Sequence, residues 1–152
     1  MVTTTKQPVA SKASLTSSSL STLASGTYCV SSSYNCATNG PTDLVLEVTA
    51  GTTNTPSGNK QLMIFAQASY DGGTVWQSGP TSGTSAASEG SLTFLGYLPI
   101  PTTSVNETKG YNVSAAFGFV LPPMLRFVVK NDLGVALTTG TLATAEVSYT
   151  NG

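Results

Sequence analysis

The sequence contains no histidine, and only 9% of its 152 residues are charged. Histidine is the commonest general base and the side chain that titrates closest to neutrality. Its absence removes the Ser–His and Cys–His arrangements of nucleophilic catalysis. Soluble domains average about 25% charged residues. Here six Lys and Arg stand against seven Asp and Glu, for a net charge of −1. The cations Lys6, Lys12, Lys60, Lys109, Arg126 and Lys130 are scattered along the chain. A phosphate backbone demands clustered cations, so no nucleic acid is expected as a main partner. No apolar run reaches the length of a membrane span, and no basic segment leads into an apolar block near residue 1. Neither a membrane partner nor a secretory signal is therefore expected.

There are two cysteines, Cys29 and Cys36, within CVSSSYNC. Bridged, they would close a short loop and stabilise the chain by about 2–3 kcal/mol. The same pair reads equally well as two separate reduced thiols. Zinc does not fit, because a four-ligand site would need two more Cys or His. The acids Asp43, Glu47, Asp71, Glu89, Glu107, Asp132 and Glu146 are dispersed. Asp71 and Asp132 fall in turn sequences, where a carboxylate commonly bonds its own backbone. The glycine-rich pieces DGG and SGPTSG lack the Lys and following helix of a phosphate loop. Two sequons, at Asn106 and Asn112, match the glycosylation pattern, as chance allows in so hydroxyl-rich a chain. The chain thus reads as a non-enzyme without a cofactor.

What the chain does have is hydroxyls. Ser and Thr make up about 29% of the residues. A surface of hydroxyls rather than charges is poorly repelled by other proteins, which favours packing against neighbours. Residues 1–22 are rich in Ser and Thr without a sustained apolar period. They read as an extended N-terminal arm, either a mobile tail or a segment that orders on a partner.

Residues 23–152 read as one domain built on period-two alternation, the mark of half-buried strands. In DLVLEVTA, Leu44, Leu46 and Val48 share a face opposite Val45, Glu47 and Thr49. In QLMIFAQAS, Leu62, Ile64 and Ala66 alternate with Met63, Phe65 and Gln67. SLTFLGYL sets Leu92, Phe94 and Leu98 against Thr93, Leu95 and Tyr97. YNVSAAFGF aligns Tyr111, Val113, Ala115, Phe117 and Phe119. MLRFVVK opposes Leu125, Phe127 and Val129 to Arg126, Val128 and Lys130. ATAEVSY opposes Ala143, Ala145, Val147 and Tyr149 to Thr144, Glu146 and Ser148.

Tyr70-Asp71-Gly72-Gly73 and Asn131-Asp132-Leu133-Gly134 carry hairpin signals. No segment has a helical period with caps. The expected fold is all-β: an antiparallel β-sandwich, jelly roll or related Greek key, behind the arm. Four residues are candidates for an interface. Lys6 and Lys12 lie in the arm. Trp76, the single Trp, is a core anchor or an interface hot spot. Arg126, the single Arg, is a solvated strand residue or a fork to a neighbour's carboxylate.

The order of LASGTY (23–28), PTDLVLEV (41–48), SYDGGTVW (69–76) and LPPMLRFVVKNDLG (121–134) before a closing strand resembles small virion proteins of tailed bacteriophages. Those are decoration, or cement, proteins of the capsid, and many have jelly-roll folds. The resemblance runs loosely from Leu23 to Tyr149. It implies a virion protein assembled in the host bacterial cytoplasm and placed on the outer capsid surface. It also implies the major capsid protein as partner, along with other copies of the chain as a homodimer or homotrimer. It assigns no site residues. The alternative is a carbohydrate- or receptor-binding module of a phage tail, neck or fibre, for which Tyr34, Tyr70, Asp71 and Trp76 are the candidate residues.

Overall fold

A computed structural model describes residues 4–7, 12–17, 19–85 and 89–151. The chain forms two five-stranded antiparallel sheets. In chain order the strands are β1 (Thr4–Gln7), β2 (Ala13–Leu15), β3 (Tyr28–Val30), β4 (Tyr34–Asn35) and β5 (Asp43–Gly51). They continue with β6 (Gln61–Ser69), β7 (Thr93–Pro99), β8 (Glu107–Asn112), β9 (Met124–Asp132) and β10 (Thr139–Asn151). Two single-turn helices interrupt them, α1 (Cys36–Asn39) and α2 (Val113–Ala116), and one 3-10 turn spans Leu20–Thr22.

The first sheet runs β1-β10-β5-β8, with β2 also on β10; the second runs β3-β9-β6-β7, with β4 also on β9. If β1 with β2, and β3 with β4, each count as one interrupted strand, the orders become 1-8-3-6 and 2-7-4-5. The fold is an antiparallel β-sandwich, and this order is consistent with a jelly roll.

The core lies between the sheets. Leu44, Leu46 and Val48 meet Leu62, Ile64, Ala66, Leu125, Phe127 and Val129, as the alternation predicts. The N-terminal segment is tied to its own domain. β1 and β2 pair antiparallel with β10, and Leu20 and Leu23 are buried in the core. Ordered packing thus begins before residue 23. The parts of the expected arm at residues 1–3, 8–11 and 18 lie outside the described residues.

Two strand expectations are corrected, and a third strand, β10, shows which of its two faces turns inward. In β10 the inward residues are Leu142, Thr144 and Glu146, because they lie opposite Val48, Leu46 and Leu44. The Ala and Thr of ATAEV differ too little in size to fix a face, so pairing with β5 decides it. In β7 the register slips: Ile64 faces Gly96, and Phe65 faces Phe94. Leu95 is the extra residue of a β-bulge, and alternation reverses across it. The expected strand YNVSAAFGF stops at Asn112, whose side chain caps α2 by accepting from the Ala115 N–H at 2.8 Å.

Neither hairpin signal makes a tight hairpin. Asn131–Gly134 carries the chain from β9 in one sheet to β10 in the other. Asn131 is wholly buried there; its amide donates to the Leu23 and Val135 carbonyls, each at 2.8 Å. Gly134 has φ +79, and a Cβ on it would fall 2.5 Å from the Gly58 nitrogen. The Asp-Gly turn opens a long excursion that reaches β7 only at Thr93. Its Asp71 carboxylate accepts from Thr74 N–H at 3.1 Å, Val75 N–H at 2.9 Å and the Ser69 hydroxyl at 2.8 Å. These bonds hold its pKa below the usual carboxylate value.

Candidate interaction surface

The outer face of the second sheet is itself apolar. Tyr28, Phe65 and Val128 are buried there, with Val30, Met63 and Leu92 packed against them. The excursion's described parts, residues 70–85 and 89–92, fold back over this face. They are stitched to β3 by Tyr28 N–H to the Thr84 carbonyl at 3.0 Å and by Gly83 N–H to the Tyr28 carbonyl at 2.7 Å. Glu89 accepts from Lys130 Nζ at 2.7 Å and from the Tyr28 hydroxyl. Both bonds favour the carboxylate, so the Glu89 pKa is lowered and that of Lys130 is raised.

The cover is incomplete at β7. Phe94 and Tyr97 are 43% and 42% exposed. Phe94 packs edge-on against Phe65 at 5.4 Å and against Tyr97 at 4.9 Å between ring centroids. Residues three apart in a regular strand face opposite ways. The bulge brings these two rings to one face, and Gly96 makes it possible at φ +148. A Cβ there would sit 3.0 Å from the Tyr111 ring. Sequence reasoning missed this strip. The signal was a glycine inside a strand pattern, which often marks a bulge.

At the other end of the face, two of the four candidate residues meet. The Arg126 guanidinium lies over the Trp76 ring, 4.5 Å from its centroid. Arg126 Nε donates to Gln67 Oε1 at 2.6 Å. Gln67 is buried and donates in turn to the Gln77 carbonyl, while Gln77 Oε1 accepts from Ala68 N–H at 3.0 Å. Partial burial lowers the Arg126 pKa. Ala68, Tyr70, Asp71, Val75, Trp76 and Gln77 line a shallow hollow of about 360 Å³ beside this cluster. Three of the four candidate sugar-contact residues are thus together. Tyr34 is elsewhere and buried, its hydroxyl donating to Glu146 across the two sheets. Burial and that bond raise the Tyr34 pKa.

The other two candidates belong to the first sheet. Lys12 pairs with Glu47 at 2.5 Å, with half its side chain in water. Lys6 sits on β1, and its side chain lies outside the described residues. Lys12 and the Arg126–Trp76 pair lie on different sheets and do not form one site.

Cys29 and Cys36 are free thiols, both buried. Their strands explain why the possible bridge does not form. Cys29 lies opposite Val129, whereas Asn35, next to Cys36, lies opposite Met124. Five residues along β9 separate the two positions by about 17 Å, far beyond the roughly 7 Å limit for a disulfide. Burial, with Glu146 nearby, pushes the Cys36 thiol up to about 11.

Among the described residues no three of His, Cys, Asp and Glu gather as metal ligands, and no helix is long and apolar enough to cross a membrane. No protein-family model matches the chain, and no curated protein matches its sequence.

Proposed function

We propose that this protein is a structural virion component that binds the outer surface of a tailed-bacteriophage capsid and stabilises it by bridging capsid subunits. The observation that carries the reading is the uncovered aromatic strip of Phe94 and Tyr97 on an otherwise covered sheet face. A fully buried aromatic covers about 150–250 Å², of which these two rings still have rather less than half to offer, and aromatics are the side chains that most often anchor interfaces. The charged groups nearest the strip are already engaged, Lys109 Nζ with the Tyr97 carbonyl at 3.0 Å and Lys130 with Glu89 at 2.7 Å, so neither is left as a lone ion when the strip is covered. A module of this kind acts through area and shape. Several weak contacts, engaged at once, then give firm attachment.

The test is co-sedimentation with empty phage heads that lack their decoration protein. The protein is expected to pellet at a fixed ratio to capsid protein. The double variant Phe94→Ser/Tyr97→Ser is expected to stay in the supernatant while still unfolding cooperatively, at a Tm lowered by the lost packing on Phe65. Failure of the unaltered protein to bind any such head removes the reading.

A second reading, a carbohydrate-binding module, is favoured by the hollow where Tyr70 and Trp76 stand beside Asp71 and Gln77. Sugar rings stack on exposed aromatics and bond to such polar groups. It predicts glycan-array signals that vanish in Tyr70→Ala.

A further inference from the structure

At the end of the sandwich formed by α1 and α2, two apolar side chains project into water. Phe119 is 77% and Val120 is 74% exposed. Their exposure is built in by the backbone. Gly118 N–H donates to the Ala115 carbonyl at 3.4 Å and Phe119 N–H to the Ser114 carbonyl at 2.8 Å. This is the paired-bond ending that commonly closes a helix, with Gly118 in the left-handed position at φ +67. In that ending the next residue usually packs back on the helix. Phe119 instead adopts φ +67 itself and points outward. A bulky residue in that region is strained by about 1–3 kcal/mol. Among the described residues nothing offsets that strain with burial.

Directly beside this knob is a hollow. Ala37, Pro41, Thr42, Leu121 and Pro123, with the edge of Cys36, enclose about 380 Å³ together with the knob residues. None of the lining residues is charged. Knob and hollow lie on one end of one chain. That is the arrangement a twofold contact requires, since each copy must offer both halves.

We infer that this end is a self-association surface, in which Phe119 and Val120 of one copy seat in the Ala37–Pro41–Pro123 hollow of a second copy, and the reverse. A second copy fits because each face offers both halves, and no residue lining the hollow carries a charge to oppose its counterpart. An aromatic and a valine from each side, with their rims, bury on the order of 800 Å² in total. A stable interface buries about 1,200–2,000 Å². The contact is therefore weak in free solution and strengthens when neighbouring copies are held side by side. The inference goes beyond the capsid reading and does not depend on it.

Sedimentation velocity of the free full-length chain, from about 10 µM to about 1 mM, tests it. The unaltered protein is expected to shift from monomer toward dimer and no further, because a twofold contact closes on itself. Phe119→Gly is expected to remain monomeric across the range. Its Tm is expected to be unchanged or higher, since glycine accepts φ +67 without strain. Phe119→Leu keeps an apolar knob and is expected to associate. The inference is overturned by an unaltered protein that is monomeric throughout, by one that grows past the dimer, or by a Phe119→Gly variant that associates equally well.

Discussion

Arg126 lies flat against Trp76, its guanidinium 4.5 Å from the ring centroid, while its Nε reaches 2.6 Å to the buried Gln67. The single Arg and the single Trp thus fasten the 70–92 excursion to β9 and β6. Cutting either end should loosen that excursion.

Arg126→Met keeps the aliphatic stem but leaves Gln67 Oε1 without its donor. A loss of about 1–2 kcal/mol in chemical unfolding is expected. A double-mutant cycle with Trp76→Leu should give a coupling of about 0.5–1 kcal/mol. Additive losses would mean that the stacked geometry contributes nothing.

The thiols make a separate prediction. A thiol reagent should find two reactive groups only after unfolding, and a reductant should leave Tm unchanged. Cys36 also sets an alkaline limb. Its pKa is about 11 in the folded chain against 9.0 for an ordinary thiol. Between those values the unfolded chain has released a proton that the folded chain still holds, so stability falls as pH rises. Relative to the unaltered protein, Cys36→Ala should flatten that slope.

Glu89 sets a limb on the acid side. Its folded pKa lies below the ordinary 4.5 because Lys130 and Tyr28 donate to it. On acidification the unfolded chain takes up the proton first. The contribution is therefore full above about pH 4.5 and is lost as pH falls through the folded value. Lys130, raised above 10.5 by the same bond, loses its contribution as pH rises through its own folded value. Glu89→Gln should shallow the acid limb, leaving the part that Asp71 sets, while costing less than about 1 kcal/mol at neutral pH, because the pair is partly solvated. Unfolding midpoints measured from pH 3 to 7 decide it.

Gly134→Ala should be among the costliest surface-loop changes. The residue is at φ +79, and its new Cβ would meet the Gly58 backbone at 2.5 Å. A loss of about 2–4 kcal/mol is expected. Gly26, also at positive φ but with open space around it, should cost less when changed to Ala.

The central strands were legible because Leu, Ile, Val and Phe alternate with polar residues in β5 and β9, and one wrong register would bury Glu47 or Lys130. β10 was not legible, since Ala143, Thr144 and Ala145 differ by little in size and polarity. The link from Tyr34 to Glu146 was equally hidden, because only the folded sandwich brings together residues so far apart in the chain. Asn131-Asp132-Leu133-Gly134 carried correct turn chemistry but not its destination. Whether a turn returns to the same sheet or crosses to the other is settled by the burial of Asn131 and the close approach of Gly58. The aromatic strip needed the bulge, and the bulge shows only as Gly96.

In the proposed attachment, the molecule lays its β7 face on a protein surface. A cryo-electron microscopy map of heads decorated with the protein measures this directly. Density for the shell is expected within contact distance of Phe94 and Tyr97, with both rings shielded. A map in which those two rings face solvent while another part of the molecule touches the shell contradicts it.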